Sequence, residues 1–325
     1  MLFIRFVKNN NMKKFFSIIL LCLAQNAMFA QMGYGKPEDI KQVAAKTLLV
    51  VLDAENPKTI KKLEKKPEEL KQYREDIAAY NAGVKAAFTK TWKFSNEVKF
   101  VSAEGLDSIK DDKSKSKLYA YFTPKIHRRQ YTINVGDPVV PNTYTLDLGL
   151  TDQKKPVYTM MFSTLRPTEG DLTFVIQQFE GYFKQRLEKD KSPRELMAEI
   201  VAKSPLLKQK TLLIDKDQVN NSLTKNIAAV YKYKYELCTK EKIDNAIINH
   251  DAAYVYIKAI PVAQIVDRNL TKSNEMTTLP TDMYYMQYVI NAEDGTYASL
   301  IESPNKDGKT SKGDIEGLVK RIEGK

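Results

Sequence analysis

The sequence predicts an α/β (or α+β) fold made of two tandem copies of one unit: strand, helix, strand, helix, strand, hairpin, helix, with a mixed sheet in each. Three observations carry this expectation. Lys46-Thr47-Leu48-Leu49-Val50 returns as Lys210-Thr211-Leu212-Leu213-Ile214. The blocks after each copy follow in one order. The 325 residues are enough for two units of ordinary domain size.

The blocks justify the elements in turn. After the opening strand, Val84, Phe88 and Trp92 fall one helical turn apart, and Leu223, Ile227 and Tyr231 repeat that stripe, so each set lies on one helix face. Val98–Val101 and Tyr235–Cys238 read as short second strands. Glu104, Leu106 and Asp107 match Glu241, Ile243 and Asp244 as a helical turn. Keeping the same offset, Leu118-Tyr119-Ala120 matches Val255-Tyr256-Ile257 as the third strand, and Pro124 meets Pro261. Tyr144–Thr151 and Pro156–Thr164 alternate like paired strands around Asp152–Lys155; Tyr285–Asn291 and Thr296–Glu302 do so around Ala292-Glu293-Asp294-Gly295. Gly170-Asp171-Leu172 and Gly313-Asp314-Ile315 then open the closing helices, each Asp placed to hold free N–H groups of the first turn.

The expected organisation is a leader over 1–30, an N-terminal segment over 31–45, the first unit over 46–190, a packed helical linker over 191–209 and the second unit over 210–325. The first unit holds about 25 additional residues before its long helix, including the charged run Lys58–Lys66. Pro67-Glu68-Glu69 reads as a helix start, and Leu70, Tyr73, Ile77 and Tyr80 would extend the helix backwards. In the linker, Ser192-Pro193-Arg194-Glu195 opens a short helix carrying Leu196, Ile200 and Val201.

The leader reads as a secretory signal starting at Met12: Lys13 and Lys14, then the apolar run Phe15–Leu23, then Ala30 at the expected cleavage point with Gln31 following. That run is too short for a spanning helix, so no transmembrane segment is expected in the mature chain. Cys22 ends the run, but Leu21 stands where lipoprotein leaders carry a small residue; soluble export to the periplasm or outer membrane is expected. Cleavage leaves Cys238 alone, which excludes an intramolecular disulfide. Its apolar neighbours suggest a packed thiol.

At 43% hydrophobic and 28% charged residues the composition is that of a globular protein. Of the +11 net charge the first 30 residues carry four, which leaves +7 on the mature chain. That charge suits anionic partners, although interspersed Lys and Glu serve solubility equally well. Export, and the lack of a basic-aromatic module, argue against nucleic acid.

No phosphate loop, nucleophile elbow or His-Glu-x-x-His motif is present, and the two histidines, His127 and His250, have no ligand-spaced partners, so neither cofactor, metal nor catalytic residue is assigned. Asp53 and Asp215 follow the two opening strands and read as turn and cap residues. The candidate interaction residues lie in the long loops after the third strands: His127, Arg128 and Arg129 in one, Arg268 in the other. Alternatively these stretches are strand extensions, since Tyr131, Ile133 and Val135 alternate. The many tyrosines in strands suit a half-buried face, an interface or a glycan platform.

This order of blocks resembles the periplasmic domain of the curli secretion channel and the related N-terminal domain of the Tol-system translocation protein. The matching stretches are Leu48–Leu52, Val84–Trp92, Val98–Ile109, Leu118–Phe122 and Tyr144–Phe162, and again Leu212–Ile214, Leu223–Tyr231, Tyr235–Ile247, Ala253–Ile260 and Tyr285–Ile301. The leader is similar to those of exported Bacteroidetes proteins. The resemblance implies an envelope protein whose α/β domains dock or assemble, with a protein partner or a second copy. The residues leave two other classes in play: a binder of an anionic glycan or lipid, and a hydrolase with an unrecognised site.

Overall fold

The computed structural model describes residues 31–33, 35–128, 142–188, 191–266 and 281–325. In chain order the first unit runs β1 (Gln31–Gly33), α1 (Pro37–Ala45), β2 (Thr47–Val51), α2 (Pro57–Leu63), α3 (Pro67–Thr91), β3 (Val98–Val101), α4 (Ala103–Asp111), β4 (Tyr119–Arg128), β5 (Asn142–Leu150), β6 (Tyr158–Phe162) and α5 (Glu169–Glu188). The linker is α6 (Pro193–Lys203) with a 3-10 turn over Ser204–Lys208. The second unit runs β7 (Thr211–Asp215), a 3-10 turn over Lys216–Gln218, α7 (Asn221–Val230), β8 (Tyr235–Cys238), α8 (Lys240–Ile248), β9 (Tyr254–Val266), β10 (Thr281–Asn291), β11 (Tyr297–Asn305) and α9 (Lys312–Ile322). No helix among the described residues is long and apolar enough to cross a membrane.

The fold is α/β and made of two similar units. Sheet 1 has the order β1-β6-β5-β4-β2-β3 and sheet 2 the order β11-β10-β9-β7-β8. Without the three-residue edge strand β1 the two orders correspond strand for strand. In each, the opening strand lies parallel between the second and third, and the hairpin adds antiparallel strands beyond the third.

Local sequence explains the helix ends. Pro67 opens α3, which runs unbroken through the extended stripe to Thr91, with Ile77, Tyr80, Val84 and Phe88 buried. Ser192 and Glu195 form a reciprocal capping box at α6. Both duplicated aspartates cap as expected. Asp314 Oδ2 accepts the Ser311 N–H at 2.7 Å, and Asp171 Oδ2 accepts the Thr168 N–H at 3.3 Å.

The register corrects one match drawn from sequence. Leu49 lies beside Tyr121, and its equivalent Leu213 lies beside Tyr256, so Tyr121 and not Tyr119 is the counterpart of Tyr256. The cause is a length difference: residues 112–118 join α4 to β4, whereas only 249–253 join α8 to β9. Pro124 therefore corresponds to Ala259, and Pro261 faces Tyr285 next to a register shift in the β9–β10 pairing.

Each sheet has two unlike faces. On the first face of sheet 1, Leu48, Val50, Phe122, Leu146 and Leu148 pack against α1, α3 and α5. On its second face, Leu49, Val51 and Tyr121 pack against Leu106 of α4. Sheet 2 buries Leu212, Ile214, Val255 and Val289 against α7 and α9. Its second face, with Leu213, Tyr256, Ile260, Met286, Tyr288 and Ile290, belongs to the same hydrophobic cluster as the first face of sheet 1.

Candidate functional site: the junction of the two units

The element that joins the two sheets is α5. An amphipathic helix has one apolar stripe; over Leu172–Ile176 α5 is buried all round, whereas its last two turns expose Gly181, Lys184 and Glu188. Phe179 contacts Phe122 and Tyr158 of sheet 1, with ring centroids 6.1 and 5.0 Å apart, and Phe183 lies 4.8 Å from Phe94. Its other side meets the second unit. Gln178 Nε2 donates to Gly295 O at 2.7 Å, and the α5 backbone approaches α8 so closely at Gly170 that a Cβ there would stand 2.7 Å from Asp244 Cα. Gly295 turns the β10–β11 hairpin with φ +72°, a conformation that glycine adopts without strain.

A buried ion cluster fixes this contact. Asp171, 4% exposed, accepts from Lys240 Nζ at 2.9 Å and from Lys258 Nζ, and Lys240 also donates to Asp244 Oδ1 at 2.5 Å. Burial alone would raise the Asp171 carboxyl. The ammoniums of Lys258 and Lys240 outweigh it and hold the group well below the usual carboxylate range. Asp244 shares a single lysine, and burial raises it. Lys258 also lies 5.1 Å from the Phe162 ring and 5.7 Å from Phe174, so its charge sits among aromatic faces of the first unit. The two carboxylates have counterparts in the other unit, Asp314 for Asp171 and Asp107 for Asp244, whereas Lys240 corresponds to Ala103 and Lys258 to Thr123; Asp314 caps α9 and, among the described residues, forms no ion pair like that of Asp171.

Two cavities flank α5. One, of about 270 Å³, lies across the carboxyl end of β7 between Asp171, Lys240, Lys258, Tyr256, Asp215 and Thr310. The Tyr256 hydroxyl is fully buried with no hydrogen-bond partner among the described residues, and desolvation pushes it well above its ordinary pKa. The other, of about 420 Å³, lies between α5, α6 and the β10–β11 hairpin, with Tyr158, Tyr182, Tyr288 and Tyr297 in its walls. The space between the units is thus filled by the closing helix of the first, with α6 flanking it on β11.

Of the four interaction residues expected from sequence, the two that are described, His127 and Arg128, line neither cavity. His127 and Arg128 are the last residues of β4, paired with Thr143 and Asn142, so this stretch begins as strand. Arg129 and Arg268 lie outside the described residues, as do Tyr131, Ile133, Val135 and the leader. Asp53 and Asp215 act in turns: Asp53 accepts the Ala54 N–H at 3.0 Å and the Arg166 guanidinium at 2.7 Å, and Asp215 accepts the Asp217 N–H at 3.0 Å. Cys238 is buried, and desolvation pushes its thiol up to about 11, which makes it a poor nucleophile. Among the described residues no group of three or more His, Cys, Asp or Glu could hold a metal ion. Sequence reading missed Asp171, Lys240 and Lys258 as a set. The available signal was α5 itself, where Leu172, Phe174, Val175 and Ile176 crowd apolar side chains onto more than one face of the first turns.

No protein-family model, no curated protein and no solved structure matches the chain.

Proposed function

We propose that this protein is an exported cell-envelope module that docks or assembles protein and performs no chemistry of its own. The junction supports this reading most directly: within one chain, a sheet of this fold receives a helix from another unit, with an apolar floor and an ion cluster for register. The equivalent face of sheet 1 is then the docking face. Among the described helices α4 packs there, and the face carries a preorganised polar set. Lys110 Nζ stands 3.7 Å over the Tyr121 ring, Lys125 pairs with Asp147 at 3.3 Å, and Thr159 donates to Asp147 at 3.0 Å. Export is part of the proposal. β1 opens at Gln31, the residue expected after cleavage, so cleavage there leaves every described element intact. The element order, which resembles that of the curli-channel periplasmic domain, is a further reason for reading a docking role.

Photo-crosslinking tests it. A crosslinker at Lys99 or Met161, both on the second face of sheet 1 by register, should trap one envelope protein or a second copy. The same group at Lys320 on α9 should trap neither. Equal products at all three sites, or none at the first two, would refute the docking face. N-terminal sequencing of the mature protein tests export, with Gln31 expected first.

A further inference from the structure

Helices α4 and α8 match from Glu104 and Glu241 onward, which places Lys110 where α8 carries Ile247. Ile247 is 1% exposed and belongs to the core that also holds Tyr256. In the first unit an ammonium takes that place. Lys110 is half-buried, and its Nζ stands 3.7 Å from the centroid of the Tyr121 ring, the counterpart of Tyr256.

Little else holds this ammonium. Among the described residues it forms no hydrogen bond and no ion pair. The ring face attracts the cation but offers no lone pair to its three N–H donors. The lysines of the junction differ in this respect, since Lys240 and Lys258 are both bonded to Asp171. A second ammonium shares the ring: Lys125 Nζ lies 5.9 Å from the Tyr121 centroid and is paired with Asp147 at 3.3 Å. Loss of water disfavours the charged form of Lys110, and the like charge of Lys125 does so too. Asp107 on α4 and Asp147 on β5 pull the other way without reversing it, so the amine is held below the usual lysine range.

We propose that Lys110 is a reactive amine that condenses with a small aldehyde on the second face of sheet 1. A lysine stripped of water beside another cation is the arrangement that frees an amine lone pair for attack on carbonyl carbon. The Nζ lone pair forms the C–N bond, and the carbonyl oxygen becomes a hydroxyl. That hydroxyl then leaves as water with the remaining amine proton, which gives the imine and consumes no oxidant or reductant. The product adds bulk beside Tyr121, where a docked partner would seat. This last consequence rests on the docking reading of sheet 1; the reactivity itself does not.

Reductive methylation of the mature protein at pH 7, with limiting formaldehyde and cyanoborohydride and no partner present, tests the amine. The hydride reduces each imine as it forms, and peptide mass spectrometry reads which lysines carry methyl groups. Lys110 should be modified ahead of the exposed Lys61 and Lys62 of α2. With rates taken relative to Lys61 in the same digest, Lys125→Met should slow Lys110 and Asp147→Asn should speed it. Lys61 or Lys62 reacting first, or a Lys110 rate that neither variant changes, would overturn the assignment. Crosslinking from Lys99 reports on docking whatever the outcome here, so the two readings fail separately.

Discussion

The second faces of the two sheets have the same strands in the same order and share Leu49 with Leu213 and Tyr121 with Tyr256, but differ in chemistry elsewhere. Position by position, Lys125 is replaced by Ile260, Thr145 by Met286, Asp147 by Tyr288 and Gly149 by Ile290. On sheet 2 these side chains lie under α5; on sheet 1 the Tyr121 ring lies across Gly149, whose built Cβ would stand 2.8 Å from the Tyr121 hydroxyl oxygen. The duplicated strand set is thus more apolar, Lys258 excepted, on the face of sheet 2 that receives α5. The fold is carried by what the copies share, and the junction by where they differ.

Exchanging residues between the faces breaks the comparison most severely. Tyr288→Asp, which imports the sheet 1 residue, would bury a carboxylate opposite Lys258, an ammonium that Asp171 already holds. It should cost at least about 3 kcal/mol and be visible as a collapse of the urea midpoint. The duplicated aspartates should separate next. Asp171→Ala strands the ammonium of Lys258, whose side chain is 16% exposed, and should cost about 3 kcal/mol. Asp314→Ala removes only a cap and should cost about 1 kcal/mol.

Acid reads the same cluster. With a depressed folded pKa, Asp171 contributes stability that is present above its unfolded value, about pH 4, and lost as the pH falls below it. Asp244, raised by burial, works in the opposite sense and blunts the loss; Lys240, raised by its two carboxylates against burial, titrates only in alkali. Urea unfolding from pH 6 downward should therefore show a stability loss starting near about pH 5 that Asp171→Asn flattens. A variant with the wild-type slope would contradict this role for Asp171.

The duplicated glycines give the smallest contrast. Gly170→Ala drives a methyl into Asp244 and should cost about 1–3 kcal/mol, whereas Gly313→Ala, whose nearest neighbour would be Ser311 Oγ at 3.8 Å, should be neutral or slightly stabilising in thermal unfolding.

Much of the fold is legible in the sequence because its signals are local. The Lys-Thr-Leu-Leu strands, the Pro67 helix start, the Ser192 capping box and the aspartates after Gly170 and Gly313 act within a few residues of themselves. The third-strand match slipped by two because Tyr119 and Tyr121 alternate on one face, and Pro261 offered a false partner for Pro124. The junction was less legible, since Asp171, Lys240 and Lys258 are far apart in the chain and each also reads as an ordinary cap or surface charge. Residues 172–176 held the strongest hint, a helical stretch apolar on more than one face between two units that each already seemed complete.

The central claim is that α5 makes the two units one cooperative body. The chain places a probe in each half: its single tryptophan, Trp92, is buried in the first unit, and Cys238 is buried in the second, on the junction side. Urea unfolding of the mature protein, followed by Trp92 fluorescence and by thiol labelling of Cys238, should give coincident midpoints and slopes. Two separated transitions, with one unit unfolding while the other keeps its probe buried, would contradict the account.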